Sequence, residues 1–235
     1  MQGGWHNARM NDFFTLHAYD LIGFALSASA VVIYQRYLHW RTRRDPSSSA
    51  LDGLIAARTA WVEGVMKERR DILAVQTLRN STMTASFMAS TAILLIIGVL
   101  TLSAQSDKLS SAWEILNVAG HISAEIWLFK LLVMLFDLLF AFFSFCLSLR
   151  LYHHIGYLIN VSPEFTVACS EPSHVAAELN RAAIFFRYGI RAYFFTVPLL
   201  FWLFGPLWMM GVTAMLIFFL FHLDRAPRQS TDLMG

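Results

Sequence analysis

Four long apolar segments constrain the fold of this chain more than any other feature of its sequence. They cover about residues 13–34, 82–102, 126–149 and 192–223. A helix that crosses a bilayer needs about 20 mostly apolar residues, and each segment reaches that length. Backbone groups in lipid have to hydrogen-bond within their own segment, which favours helices. We therefore predict an all-α integral membrane protein, in which residues 1–235 form a single membrane domain around a four-helix transmembrane bundle.

The composition excludes soluble enzymes, disordered proteins and fibrous proteins. Hydrophobic residues make up 57% of the chain and charged residues 14%, whereas soluble domains have roughly 45–50% and about 25%. The net charge of +2 leaves no basic domain for nucleic acid. Two cysteines, one in an apolar segment and one in a polar loop, do not indicate a disulfide framework.

The positions of the basic residues predict the orientation of the chain. Most of the 18 lysines and arginines lie between the first and second segments or between the third and fourth. Only Lys108 lies between the second and third. Cytoplasmic loops of membrane proteins are enriched in these residues. We therefore expect a multi-pass protein of the inner (cytoplasmic) membrane with its N-terminus outside and loops 40–81 and 150–191 in the cytoplasm.

The last segment, 192–223, is too long to cross about 30 Å of hydrocarbon as one straight helix. Pro198 and the Gly205-Pro206 pair interrupt it, and proline breaks or kinks a helix. We favour a single kinked span. The alternative is a re-entrant hairpin that turns at Gly205-Pro206 and places Arg225 and Arg228 inside.

Both cytoplasmic loops are predicted to be helical. Val62 and Val65 belong to a set of apolar residues that recur at helical spacing after Ser49. The opposite face of this helix is charged, so the helix is amphipathic. It either lies at the membrane interface or packs on a second helix, which begins near Ser173 and carries Leu179 on its apolar face.

Small and aromatic residues mark different faces of the spans. Gly23/Ser27 and Ala85/Ala89 are four residues apart, a spacing that lets helices approach closely. The third and fourth spans are instead rich in phenylalanine, including Phe136. Such rings either face lipid or dock against another membrane subunit.

Two runs of sequence resemble a known family. Ala74-Val75-Gln76-Thr77-Leu78-Arg79-Asn80 and Gly189-Ile190-Arg191-Ala192-Tyr193, together with Trp202 and Gly205-Pro206, are similar to the domain-of-unknown-function family five-nine-nine. The resemblance covers most of the chain and implies a small polytopic membrane protein. It implies no catalytic residue.

Three charged residues fall inside the apolar segments, where charge is costly and often functional. Asp137 lies near the middle of the third segment. It is either a proton or cation relay or, as we favour, a structural contact to a neighbouring helix. Asp20 and Lys130 lie at similar depth in the first and third segments. They either form an interhelical ion pair, or Lys130 extends to the lipid headgroups.

Three histidines occupy the outer half of the membrane in the favoured topology. His17, His121 and His222, with Glu125 one turn after His121, could ligate a transition metal or haem. We favour interfacial histidines without a cofactor. His222 leaves this group if the last segment is a hairpin.

Arg79, Arg187 and Arg191 lie at the inner ends of the segments. We favour an anchoring role for these three arginines. The alternative is a site for an anionic lipid or a phosphate between helix ends.

The sequence contains no phosphate-binding loop, paired-cysteine zinc site or nucleophile elbow. We therefore expect a non-catalytic protein in the lipid bilayer, either an accessory subunit of a membrane complex or a self-associating bundle. The alternatives are a transporter or channel that uses Asp137 with Asp20 and Lys130, and a haem or metal protein that uses the outer histidines.

Overall fold

The computed structural model describes residues 18–44, 50–105, 124–161 and 171–223, and these residues form six helices. The helices are α1 (Ala18–Arg44), α2 (Ala50–Glu68), α3 (Asp71–Ala104), α4 (Ala124–Leu158), α5 (Pro172–Trp202) and α6 (Pro206–Leu223). The described residues contain no strand. Four stretches are long and apolar enough to cross a membrane: Ala18–Leu38, Asp71–Ala104, Glu125–Leu158 and Pro172–Trp202. The predicted all-α membrane fold is confirmed.

The chain divides into two compact units, and five of the six helices contribute to both. The first unit contains the described residues 18–36, 92–105, 124–140 and 191–217. The second contains 37–44, 50–91, 141–161, 171–190 and 218–223.

The core of the first unit is built from α3, α4, α5 and α6. Its buried apolar residues include Trp127, Leu131, Trp202 and Met209, with Phe24 of α1 packed against them. The paired small residues Gly23 and Ser27 are buried on α1. This burial agrees with the close helix approach that their spacing predicts.

In the core of the second unit, the amphipathic helix α2 packs against α5. Val62 and Val65 of α2 are buried in one cluster with Val175 and Leu179 of α5. The side-chain amide of Asn180 donates to Thr59 Oγ1 at 3.4 Å in the same unit. Helix α2 therefore packs on the predicted second helix rather than presenting these residues to a membrane interface.

The favoured interpretation of segment 192–223 as a single kinked span is wrong. Helix α5 begins at Pro172, so the predicted loop helix and the start of the last apolar segment are one continuous helix that ends at Trp202. Three residues, 203–205, then separate it from α6. The chain enters the first unit at Arg191 and returns to the second after Ile217, which agrees with the hairpin alternative. Arg225 and Arg228 lie outside the described residues.

Gly205 and Pro206 explain why the break occurs at this position. Gly205 has a φ of 131°, which L-residues with side chains rarely adopt. The last turn of α5 tightens, and the Gly205 N–H donates to the Trp202 carbonyl at 3.1 Å. Pro206 then opens α6, where its fixed φ suits a helix start and its missing N–H has no cost. Pro198 lies inside α5 without ending it.

Two glycines permit close packing. A Cβ on Gly23 would lie 2.6 Å from Pro206 Cβ in the first unit. A Cβ on Gly189 would lie 2.6 Å from the ring of Phe145 in the second. Phe145 is fully buried and makes an edge contact with Phe186, so its ring has little freedom to shift. Neither glycine position has room for a side chain.

We predict that Gly189→Ala lowers the free energy of unfolding by about 1–3 kcal/mol, because the new methyl group overpacks the Phe145 ring. Gly64→Ala is the matched control in helix α2, where nothing lies within 4 Å of the added Cβ. It should raise stability by about 0.5–1 kcal/mol. Thermal unfolding of both variants in detergent measures the difference. Equal changes in Tm would contradict the packing argument.

Candidate functional site

Asp20 of α1 and Lys130 of α4 form a buried ion pair in the first unit. Lys130 Nζ lies 2.8 Å from Asp20 Oδ1. Only 1% of Lys130 and 5% of Asp20 is exposed, so Lys130 does not extend to the surface as the snorkelling alternative requires. Burying two charges is tolerated when their remaining hydrogen-bonding groups are also satisfied.

Trp202 of α5 supplies two further hydrogen bonds to this ion pair. Its indole Nε1 donates to Asp20 Oδ1 at 3.2 Å, and its backbone carbonyl accepts from Lys130 Nζ at 3.1 Å. The Lys130 ammonium also lies 5.4 Å from the indole centroid, within the range of a cation–π interaction. Phe24 stacks on the same indole with ring centroids 4.7 Å apart. We call Asp20, Lys130 and Trp202 the charge cluster.

Helix ends contribute to the electrostatics of the charge cluster. Asp20 lies in the first turn of α1, where the helix dipole favours a negative charge. Trp202 is the last residue of α5, where backbone carbonyls lack partners in their own helix. The Lys130 ammonium supplies a donor there, and a cation is favourable at a helix C-terminus. The charge cluster therefore joins three helices through one ion pair and two hydrogen bonds.

Asp137 has a separate partner in the first unit. Thr196 Oγ1 of α5 donates to Asp137 Oδ2 at 2.7 Å. The same hydroxyl lies 3.2 Å from the carbonyl of Ala192, one turn earlier in its helix. Asp137 is half-buried. This hydrogen bond joins α4 to α5, and a structural role for Asp137 predicts such a contact with a neighbouring helix.

The structure describes two of the four residues of the predicted histidine site, Glu125 and His222. His17 and His121 lie outside the described residues. Glu125 is exposed near the start of α4 in the first unit, and His222 is exposed near the end of α6 in the second. Among the described residues no group of three or more His, Cys, Asp or Glu side chains could hold a metal ion. The haem or metal site remains a prediction.

The three candidate lipid-binding arginines are divided between the two units. Arg79 is exposed and Arg187 half-buried, both in the second unit. Arg191 lies in the first unit and donates to Gln35 Oε1 at 2.6 Å. A joint anionic site of these arginines remains a prediction.

Sequence reasoning assigned no role to Trp202 or Gln35. Trp202 is separated by 72 residues from Lys130 and by 182 from Asp20, so no local spacing connects them. The one available signal was that a buried lysine needs acceptors and that a helix C-terminus offers carbonyls. Gln35 carried no such signal.

We predict that Asp20→Asn and Lys130→Met each lower the free energy of unfolding by about 3–5 kcal/mol, because each leaves the opposite charge buried without its counter-ion. The double variant should lose less than the sum of the two single variants. Thermal stability in detergent measures all three. Additive losses would contradict coupling between the two charges.

Comparison with known proteins identifies the family but assigns no activity. No curated protein and no solved structure matches the chain. Residues 22–229, which include the charge cluster residues Lys130 and Trp202, match the family described as "Protein of unknown function, DUF599". Because this match covers most of the sequence, the chain belongs to that family.

Proposed function

We propose that the protein is a non-catalytic subunit of a membrane assembly, formed with other membrane proteins or with further copies of itself. The buried charges of Asp20 and Lys130 support this proposal, because they pair with each other and hydrogen-bond to Trp202. Groups paired in this way constrain how the helices meet and are not presented to a substrate.

The observation that carries the proposal is an exposed aromatic row on α4. Phe136, Phe140 and Phe143 are 63%, 56% and 60% exposed. Their spacing of four and three residues places them on one face of the helix. Leu132 and Leu147 extend the row at both ends. Aromatic side chains supply large contact areas and are enriched at protein interfaces, so this row is suited to a protein partner.

We predict that the protein extracted in mild detergent has a native mass above that of one 26.7 kDa chain. The double variant Phe136→Ala with Phe140→Ala should shift the protein toward the single-chain mass, because it removes two rings from the row. Native mass spectrometry measures both. Integer multiples of the chain mass indicate self-association, and other masses indicate a different subunit.

The control variant replaces Phe87 and Leu94 of α3 by alanine. These residues are 64% and 68% exposed and lie two turns apart, so the change removes a comparable apolar area from another helix. The assembly should survive it. A wild-type protein that is only a single chain under mild extraction would overturn the proposal.

Asp137 supports a rival function, a transporter or channel, because it is a half-buried carboxylate within a span. A path that conducts ions needs several polar groups spaced through the membrane. Two hydroxyls in the neighbouring apolar helices are engaged by their own backbone, since Thr91 donates to the Phe87 carbonyl and Thr213 to that of Met209.

We predict no proton or cation flux above that of empty vesicles in proteoliposomes that contain the purified protein. The contact from Thr196 to Asp137 then serves helix packing. Ion-sensitive dyes inside the vesicles measure the flux. A flux that disappears in Asp137→Asn would favour the transporter.

The metal or haem proposal is tested separately, by the visible absorption spectrum and metal content of the purified protein.

The proposed orientation places the N-terminus outside the inner (cytoplasmic) membrane. With the hairpin at Gly205-Pro206, Arg225 and Arg228 join most other bases on the cytoplasmic side, as the positive-inside rule favours. A cysteine at position 108, in a chain whose native cysteines are replaced by serine, should react with an impermeant reagent from outside. Reaction only after membrane rupture would reverse the orientation.

A further inference from the structure

The second unit contains a cavity of about 530 Å³ between the end of α4 and the start of α5. This volume lies in the range of ligand-binding clefts. The two helices are antiparallel here, because Phe145 contacts Phe186 while Ser148 donates to the carbonyl of Ala182. Residue numbers that rise along α4 therefore pair with numbers that fall along α5.

This antiparallel register orders the lining of the cavity, whose charged residues and histidines lie on one side of Leu147 and Phe185 and are interleaved with Leu151 and Leu158. Leu147 and Phe185 lie toward the apolar segments of both helices. His154 and His174 lie toward the helix ends, with Arg150 and Arg181 at intermediate level. Helix α4 has 35 residues, more than the roughly 20 that cross the hydrocarbon, and Arg150 and His154 follow the predicted span 126–149. We therefore infer that the cavity lies where hydrocarbon gives way to the headgroup region.

The charges that line the cavity favour an anion. Arg150 and Arg181 supply two guanidinium groups, whose planar arrangement of donors matches phosphate oxygens. Glu178 is the one acidic residue among the described residues that line the cavity, and its Oε1 lies 3.6 Å from Arg181 Nη1. That single, long contact leaves further donors of the Arg181 guanidinium for a ligand.

We propose that this cavity binds the headgroup of an anionic membrane phospholipid, with the phosphate on Arg150 and Arg181 and an acyl chain along Leu147 and Phe185. The apolar wall next to the two cationic groups distinguishes a lipid from a small soluble phosphate. This site differs from the predicted site of Arg79, Arg187 and Arg191, none of which lines the cavity.

Lipid binding to the full-length protein in detergent tests the proposal. The probes are dioleoyl phosphatidylglycerol and, as the neutral comparison, dioleoyl phosphatidylcholine, with bound lipid counted by native mass spectrometry. Arg150→Gln and Arg181→Gln should each weaken binding of phosphatidylglycerol about fivefold, because each removes one positive charge near the phosphate. Binding of phosphatidylcholine should change less.

Glu178→Gln keeps the test decisive if an arginine variant fails to fold. It removes the carboxylate that competes for Arg181 and should strengthen binding of phosphatidylglycerol about fivefold. Arg36→Gln is the matched control, because Arg36 is an exposed arginine of α1 that does not line the cavity. It should leave the affinity unchanged.

The variant Leu147→Asn and the soluble probe glycerol phosphate distinguish a lipid headgroup from a soluble phosphate ester as the ligand. If the ligand is a lipid, this change should weaken phosphatidylglycerol several-fold, and glycerol phosphate alone should bind weakly. If glycerol phosphate binds as tightly as phosphatidylglycerol and Leu147→Asn has no effect, the ligand is a soluble phosphate ester and the lipid proposal is wrong. Wild-type affinity for phosphatidylglycerol in the Arg150, Arg181 and Glu178 variants would overturn the site altogether.

Discussion

The buried ion pair between Asp20 and Lys130 is the constraint on which the first unit depends. Removing a carboxylate and an ammonium from water costs several kcal/mol for each ion, and only close pairing with further hydrogen bonds offsets that cost. The 2.8 Å contact supplies the pairing, and the indole and backbone carbonyl of Trp202 supply further hydrogen bonds. Helices α1, α4 and α5 therefore have to meet at one level.

The break after Trp202 follows from the same constraint. A carbonyl in the last turn of a helix is less enclosed than one in the middle and can accept from a side chain. Because α5 ends at Trp202, the Trp202 carbonyl accepts from Lys130 Nζ as well as from the Gly205 N–H, and Gly205 with Pro206 makes that ending possible. The close approach of Gly23 to Pro206 then joins the start of α6 to α1. The second unit relies instead on tight packing, with Gly189 against Phe145 and the Ser148 hydroxyl on the carbonyl of Ala182.

Local patterns predicted a large part of the fold. The helical period of Val62 and Val65 identified α2, and the need of a buried charge for a partner brought Asp20 and Lys130 together as one of two alternatives. The error in segment 192–223 has a physical cause. Hydropathy reports the apolar length of a segment, but it does not report a glycine φ of 131° that ends one helix and allows the next to begin.

The sequence by itself determined that the chain is a helical membrane protein, because apolar segments of this length in lipid have to satisfy their backbone internally. It also identified the charges that need partners. Only the tertiary structure decided that Trp202 completes the ion pair, that Thr196 contacts Asp137, and that Arg150 and Arg181 line one cavity. These contacts join residues far apart in the chain. Their geometry depends on helix register and on the position of a helix end, which packing fixes and local spacing does not encode.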